Sequence, residues 1–321
     1  MSRPVCITYD STCDLTPALL ERFQIRTVPL TIQSGQRTFP DDGSYTALDL
    51  YADYQKDGTL PKTAAVSPEE FKNFFAPILD EGFDIVHIDI SSNLSCTCQN
   101  ALLAATEMEA AHRIHVVDSR QLSTGGALLA LQGAKLRDQG LPAAEIAEEL
   151  RRLAPLSDTS FVLDTLQFMW KGGRCSGVTA LGANVLKLKP CLEMREGNLV
   201  VCKKYRGSIE KVYPQYISQR LAGKSVVEDW AFITHSGQVS EETLRELTEQ
   251  VKAEAPFREV FITQAGCTVS SHCGPKTLGV LFLRKECSPH AAASERHFLP
   301  AGPEPAGPPR GPGPAPPLVF R

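Results

Sequence analysis

Short apolar runs alternate with stretches of helical period through the first half of the chain. VCITY (5–9), TVPLTI (27–32), FDIVHIDI (83–90) and RIHVVD (113–118) each predict a strand, and the segments between them predict helices. That alternation predicts a parallel sheet covered on both faces. Helix starts are marked locally. Thr16-Pro17 precedes ALLERF, and Ser67-Pro68-Glu69-Glu70 joins an N-cap, a proline at the first helical position and a capping-box glutamate. A further helix follows Ser123-Thr124-Gly125-Gly126. PAAEIAEELRRLA (142–154) predicts a helix with one charged face, ended by Pro155.

From about residue 158 the pattern changes. TSFVLD is followed by the glycine-rich turn KGGRCSG (171–177) and then by a predicted helix up to Lys189-Pro190. CLEMRE and LVVCKKY, joined at Gly197-Asn198, predict a hairpin and hence antiparallel pairing. WAFITH (230–235), a helix from near Ser240, REVFITQ (258–264) and LGVLFL (278–283) complete this half. The expected fold class is α/β in two domains. Residues 1–156 form an N-terminal α/β/α layer with a mainly parallel sheet, and residues 157–287 a C-terminal α/β domain with a mixed sheet. Residues 288–321 end in PAGPEPAGPPRGPGPAPPLVFR, too poor in apolar surface to offset the entropy of ordering, and are expected to be a disordered tail.

Composition narrows the function classes. The formal charge is -4 and the densest basic group is only Lys203, Lys204 and Arg206, so nucleic acid is not an expected partner. No apolar run approaches the roughly 18 residues that span a bilayer, and the N-terminus leads straight into a strand. A cytoplasmic location without stable membrane insertion is therefore expected. Ten cysteines, several inside apolar runs and none in a CxxC pair, are expected to stay reduced and mostly buried, with no metal site.

Three loops each follow a strand and begin with an acid and a hydroxyl: DSTCDL (10–15), DISSNLSCT (89–97) and DSRQLSTGG (118–126). In a parallel sheet these lie at one edge, where open α/β folds bind ligands. The middle loop runs from strand to hydroxyls to helix start, which builds an anion site from the free N–H groups and dipole of the first helical turn. Helix capping alone accounts for any one such loop, whereas three together point to a site for a carboxylate or phosphate. Thr63, in KTAAVSPEEF, reads by itself as a strand-edge residue. His272, ahead of Gly274-Pro275, is expected at a loop tip and Arg174 after a glycine turn; both also have ordinary surface readings. His235 carries a weaker case, and His87 is expected to be a packed core residue. P-loop, GxGxxG, HExxH and GxSxG motifs are absent, which favours a binder over a nucleotide-using enzyme and implies no cofactor.

Taken in order, DSTCDL, KT followed by SP, ISSNLSCT, DS with a later STGG, LDTLQFMWKGGR, LKLKP and HCGP resemble the DegV family over about residues 4–286. This resemblance implies a fatty-acid-binding protein like the FakB subunit of bacterial fatty acid kinase. It would be a non-catalytic carrier that holds one long-chain fatty acid and presents its carboxyl group to a separate kinase catalytic subunit for conversion to acyl phosphate, with an acyltransferase as a further partner. The implied carboxylate contacts are Thr63, Ser95 and His272, with Arg174 assisting. Ser92, Cys96, Thr97 and Ser11 belong to the surrounding head-group loops. The sequence departs from the family pattern at Cys96 (usually Gly), at Cys98 (frequently aromatic), at the AAV after Thr63, and at Lys276 (commonly Gly).

Two rivals remain at this level. One is a small-ketone-binding subunit resembling that of dihydroxyacetone kinase, with His272 as the covalent residue. The other is a cysteine hydrolase or redox sensor built on Cys96 and Cys98, which requires a lowered thiol pKa.

Overall fold

In the computed structural model, which describes residues 3–175 and 188–286, the first half of the chain runs β1 (Val5–Asp10), α1 (Pro17–Phe23), β2 (Ile25–Val28), β3 (Thr31–Ser34), β4 (Arg37–Pro40), α2 (Ala47–Asp57), β5 (Lys62–Ala64), α3 (Pro68–Asp80), β6 (Asp84–Asp89), α4 (Thr97–Glu107), β7 (Ile114–Asp118), α5 (Thr124–Asp138) and α6 (Ala143–Leu153). The second half runs β8 (Ser157–Val162), α7 (Gln167–Gly172), β9 (Leu188–Arg195), β10 (Asn198–Arg206), α8 (Ile209–Leu221), β11 (Val226–His235), α9 (Glu241–Glu254), β12 (Glu259–Gln264), α10 (Cys267–Cys273) and β13 (Leu278–Arg284).

The local signals act as their chemistry requires. Thr16 accepts the Leu19 N–H, and Ser67 and Glu70 form a reciprocal capping box with Pro68 at the first helical position. The first sheet is wholly parallel, in the order β2-β1-β6-β7. A second sheet, β10-β9-β8-β13-β11-β12, is antiparallel except for the β11–β12 pair. The mixed α/β class is thus as expected, with the parallel sheet preceding the mixed one.

Two runs depart from the sequence reading. TVPLTI does not form one strand: Thr27 and Val28 end β2, whereas Thr31 and Ile32 start β3 in a separate antiparallel sheet, β4-β3-β5. Pro29, lacking an N–H, lies at the break. The hairpin turn lies one residue earlier than expected, because Arg195 pairs with Asn198 and leaves Glu196-Gly197 as the turn. Both have positive φ, 50° and 81°, as a type I′ turn requires. The helix expected before Lys189 falls mainly on 176–187, outside the described residues, and Leu188–Pro190 are already strand. The expected disordered tail also lies outside the described residues.

Helix α5 joins the halves. It is buried along most of its length, from Thr124 to Ala134, so it reads as apolar nearly all round rather than amphipathic. Its leucines and alanines share one core with Val5, Ile7 and Tyr9 of the parallel sheet and with Phe232 and Leu281 of the mixed sheet. Gly125 and Gly126 permit this approach, since a Cβ at either would meet Thr159 Oγ1 or Tyr9 Oη at 1.8 Å. The described residues up to Lys285 accordingly group as one compact unit. His87 is a core residue: fully buried, its Nδ1 lies 2.7 Å from Thr8 Oγ1 and its Nε2 3.0 Å from Asp89 Oδ1, with Phe71 and Phe75 edge-on to the ring.

Candidate functional site

Because β1, β6 and β7 are parallel, their following loops share one edge of the sheet, and hydrogen bonds tie the three together. Asp10 Oδ2 accepts the Ile90 N–H at 2.8 Å, the Ser91 N–H reaches Gln121 O at 2.8 Å, and the Ser119 N–H reaches Asp89 O at 3.2 Å. Asp10 is fully buried, and burial followed by the nearby Asp89 pushes its carboxyl up to about 7. In the middle loop, both the N–H and the hydroxyl of Ser92 donate to Asp118. Ser95 Oγ accepts the Thr97 N–H at 3.3 Å and lies 2.7 Å from Thr97 Oγ1, so Ser95 satisfies the first N–H of α4 from one residue before its N-cap, Cys96. Cys96 has φ -80°, a conformation open to any residue, and a Cβ is accommodated where the family pattern has glycine.

A cavity of about 470 Å³ opens beside this loop. Its polar side carries Thr63, Ser92, Ser95, Arg174 and His272, together with Cys96. The rest of its lining is largely aliphatic, with residues such as Leu30, Ile90, Leu122, Met169, Leu199 and Val269, besides the polar Asn93 and Thr268. Thr63, at the centre of β5, lies with Oγ1 3.1 Å from His272 Nε2. Residues 209 positions apart are thereby joined in the cavity lining.

His272 is not at a loop tip. It occupies the last turn of the short helix α10, which starts directly after Gly266. The local sequence offers no side-chain cap there, and the caps come from far away. Asp14 Oδ1 accepts the Gly266 N–H at 2.8 Å, while the two oxygens of Asp41 accept those of Cys267 and Thr268 at 2.8 and 3.2 Å. Burial pushes the Asp14 carboxyl up to about 8. Gly172 of α7 lies against the imidazole so closely that a Cβ there would meet His272 Nδ1 at 2.3 Å. That Nδ1 is buried without a hydrogen-bond partner among the described residues. Burial, with the Arg174 guanidinium adding to it, pushes His272 down to about 4, so the ring is neutral at pH 7. Arg174 itself is exposed, and its Nη1 donates to Gly172 O at 2.7 Å.

Not every residue singled out in the sequence reaches this cavity. The Ser11 hydroxyl donates to Asp41 Oδ2 at 3.1 Å and accepts the Leu30 N–H, so Ser11 supports the clamp on α10 and does not line the cavity. Thr97 is fully buried behind Ser95. His235 Nδ1 accepts the Gly237 N–H at 3.1 Å, away from the site. Sequence reasoning missed Asp14 and Asp41 as supports, and Thr268, whose buried hydroxyl lines the cavity without a partner among the described residues. The one available signal was the pair of acids in DSTCDL. Lys276, where the family pattern has glycine, has φ 56°, which explains the usual preference at that position. Burial raises the Cys98 thiol far above the range of a reactive cysteine.

An α/β fold of three sheets with a cavity lined by hydroxyls, an imidazole and aliphatic side chains has the form of a small-ligand pocket. The family model described as an uncharacterised protein of the DegV family matches residues 4–285, and the chain belongs to that family. A DegV domain-containing protein of Deinococcus radiodurans is 30% identical over 282 residues, covering 86% of this chain and 97% of the relative. Another, from Caldanaerobacter subterraneus subsp. tengcongensis, is 28% identical over 281 residues, covering 88% and 99%. Among solved structures, a fatty-acid-binding DegV family protein from Thermus thermophilus superposes with a TM-score of 0.79 at 28% identity, covering 89% of this chain and 100% of that one. The Streptococcus pneumoniae Fatty Acid Kinase (Fak) B3 protein loaded with linoleic acid shares the fold, with a TM-score of 0.73 at 23% identity and coverage of 89% and 100%. Among the described residues, no helix is long and apolar enough to cross a membrane.

Proposed function

We propose that this protein binds a long-chain fatty acid and presents its carboxyl group to a separate kinase subunit for phosphorylation to acyl phosphate, itself acting as a non-catalytic carrier. The observation that carries this reading is the contact between Thr63 Oγ1 and His272 Nε2, 3.1 Å apart in the lining of a cavity whose remaining wall is largely aliphatic. At about 470 Å³ the cavity falls within the roughly 300–1,000 Å³ typical of small-molecule pockets. Burying about 14 methylenes at ~0.8 kcal/mol each supplies on the order of 11 kcal/mol before association costs.

Thr63, Ser95 and a neutral His272 are donors without net charge, so they orient a carboxylate while leaving its charge on the oxygens. One of those oxygens is the nucleophile that would attack the phosphorus of a phosphoryl donor held by the partner, forming the new O–P bond as the bond from phosphorus to the rest of the donor breaks and that remainder stays with the partner. Arg174, exposed beside Gly172, supplies a guanidinium fork for the resulting acyl phosphate. The fatty acids named for the Thermus thermophilus protein and the kinase named for the Streptococcus pneumoniae protein support this assignment. The aliphatic walls disfavour the small polar ketone of the rival reading, and the raised Cys98 thiol disfavours a cysteine nucleophile.

The test is organic extraction of the purified protein followed by mass spectrometry, together with titration of palmitate and oleate. Stoichiometric fatty acid and saturable binding are expected. Absence of both, or a mass-shifted adduct on His272, would overturn the reading.

A further inference from the structure

A second cavity, of about 390 Å³, lies on the other side of the β9–β10 hairpin turn from the fatty-acid cavity. The turn separates them: Asn93 of the first cavity donates to Glu196 O at 3.3 Å and Ser91 to Gly197 O at 2.8 Å, while Glu196 and Gly197 line the second. The lining is charged rather than aliphatic. Arg120, Arg195, Arg220, Lys224 and Arg284 face three carboxylates, those of Asp158, Glu193 and Glu196, an excess of two positive charges.

The pairing inside the cavity shows where that excess sits. Asp158, 5% exposed, receives Arg220 Nε and Lys224 Nζ, both at 2.5 Å, and Arg284 Nε approaches it at 3.7 Å. One carboxylate thus faces three cations. Glu193 is shared between Arg220, at 2.6 Å, and Arg195. Arg120 is held with φ 53° and reaches only the Glu196 carbonyl, at 3.5 Å, pairing with no carboxylate among the described residues. Internal ion pairs would bind the hairpin, α8 and β13 together with a balanced set of charges. Here Asp158 and Glu193 together meet Arg195, Arg220, Lys224 and Arg284, Arg120 pairs with no carboxylate among the described residues, and two positive charges are left in excess around a concave space.

We infer that this cavity is an anion site for a small phosphate-bearing molecule, separate from the fatty-acid cavity. A phosphate monoester carries about -1.5 to -2 charges at pH 7, which matches the excess, and its oxygens suit guanidinium forks. A volume of about 390 Å³ suits a small molecule rather than a macromolecular backbone.

Isothermal titration of the full chain with inorganic phosphate at pH 7.5 and low ionic strength tests this. Saturable binding of one phosphate per chain is expected, weakening as salt rises. The exposed double variant Arg120→Gln/Arg284→Gln should bind at least tenfold more weakly, with the thermal midpoint measured without phosphate lowered by no more than a few degrees, since Arg284 also contacts Asp158 and Pro155 O. Arg195→Glu gives a second, independent loss should the double variant fold poorly. Thr63→Val, in the other cavity, should leave phosphate affinity intact. No saturable heat, unchanged affinity in both charge variants, or succinate binding as tightly as phosphate would overturn the assignment.

Discussion

Asp41 Oδ1 accepts the backbone N–H of Cys267 at 2.8 Å, across 226 residues of chain. With its second oxygen on the Thr268 N–H, Asp41 fixes the start of the helix whose end carries His272. Asp41→Asn keeps the side-chain shape but replaces one acceptor oxygen by an NH₂ that faces another donor. It should cost about 1–3 kcal/mol of stability and weaken fatty-acid binding in step. Urea melts paired with fatty-acid titrations check this; a destabilised variant with unaltered affinity would show that α10 holds His272 without the clamp.

Removing a hydroxyl while keeping its volume isolates the head-group contact. Thr63→Val should lower affinity for palmitate tenfold or more, since a hydrogen bond to a charged group is worth about 1.5–3 kcal/mol. Displacement of a fluorescent fatty acid measures it. Affinity for a chain of the same length ending in a methyl ester should change far less.

Gly172 sits where any side chain would press on the imidazole. Gly172→Ala should push the ring from Thr63 and reduce affinity several-fold while leaving the thermal midpoint within a few degrees. A crystal structure of the variant with the His272–Thr63 distance retained would contradict this.

The neutral His272 ring gives stability a distinctive pH dependence. Folding holds its pKa at about 4 against an ordinary 6.5, so the unfolded chain takes up the proton first as pH falls. The contribution is complete above pH 6.5 and is lost as pH drops toward 4. Asp14, raised to about 8 from 3.8, acts in the opposite sense: its contribution is present below pH 3.8 and lost as pH rises through 8. Comparing wild type with His272→Gln cancels the Asp14 part. The stability difference between them should shift by on the order of 3 kcal/mol between pH 7 and pH 4. A difference independent of pH would mean the ring titrates normally.

Elements with local chemistry were legible in the sequence. The capping box at Ser67-Glu70 and the hydroxyl-rich loop at 91–97 appear where their residues place them, because a cap or turn is decided within a few positions. α2 lies in a segment expected to be helical but was not singled out, although Thr46 and Asp49 form its capping box, since its apolar residues did not stand out from their flanks. α10 was missed for another reason: its caps are Asp14 and Asp41, more than two hundred residues away, and no local window contains them.

The sequence by itself determined the α/β class, the strands that hold the three loops on one sheet edge, and the residue types suited to grip a carboxylate. Only the tertiary structure decided that Thr63 meets His272, that a helix rather than a loop carries the imidazole, and that five basic residues from separate elements converge on a second cavity. Hydrogen-bond periodicity and capping act over one or two turns and leave their record in neighbouring residues. Cavities and long-range clamps arise from packing between distant segments, where burial sets both the geometry and the charge state.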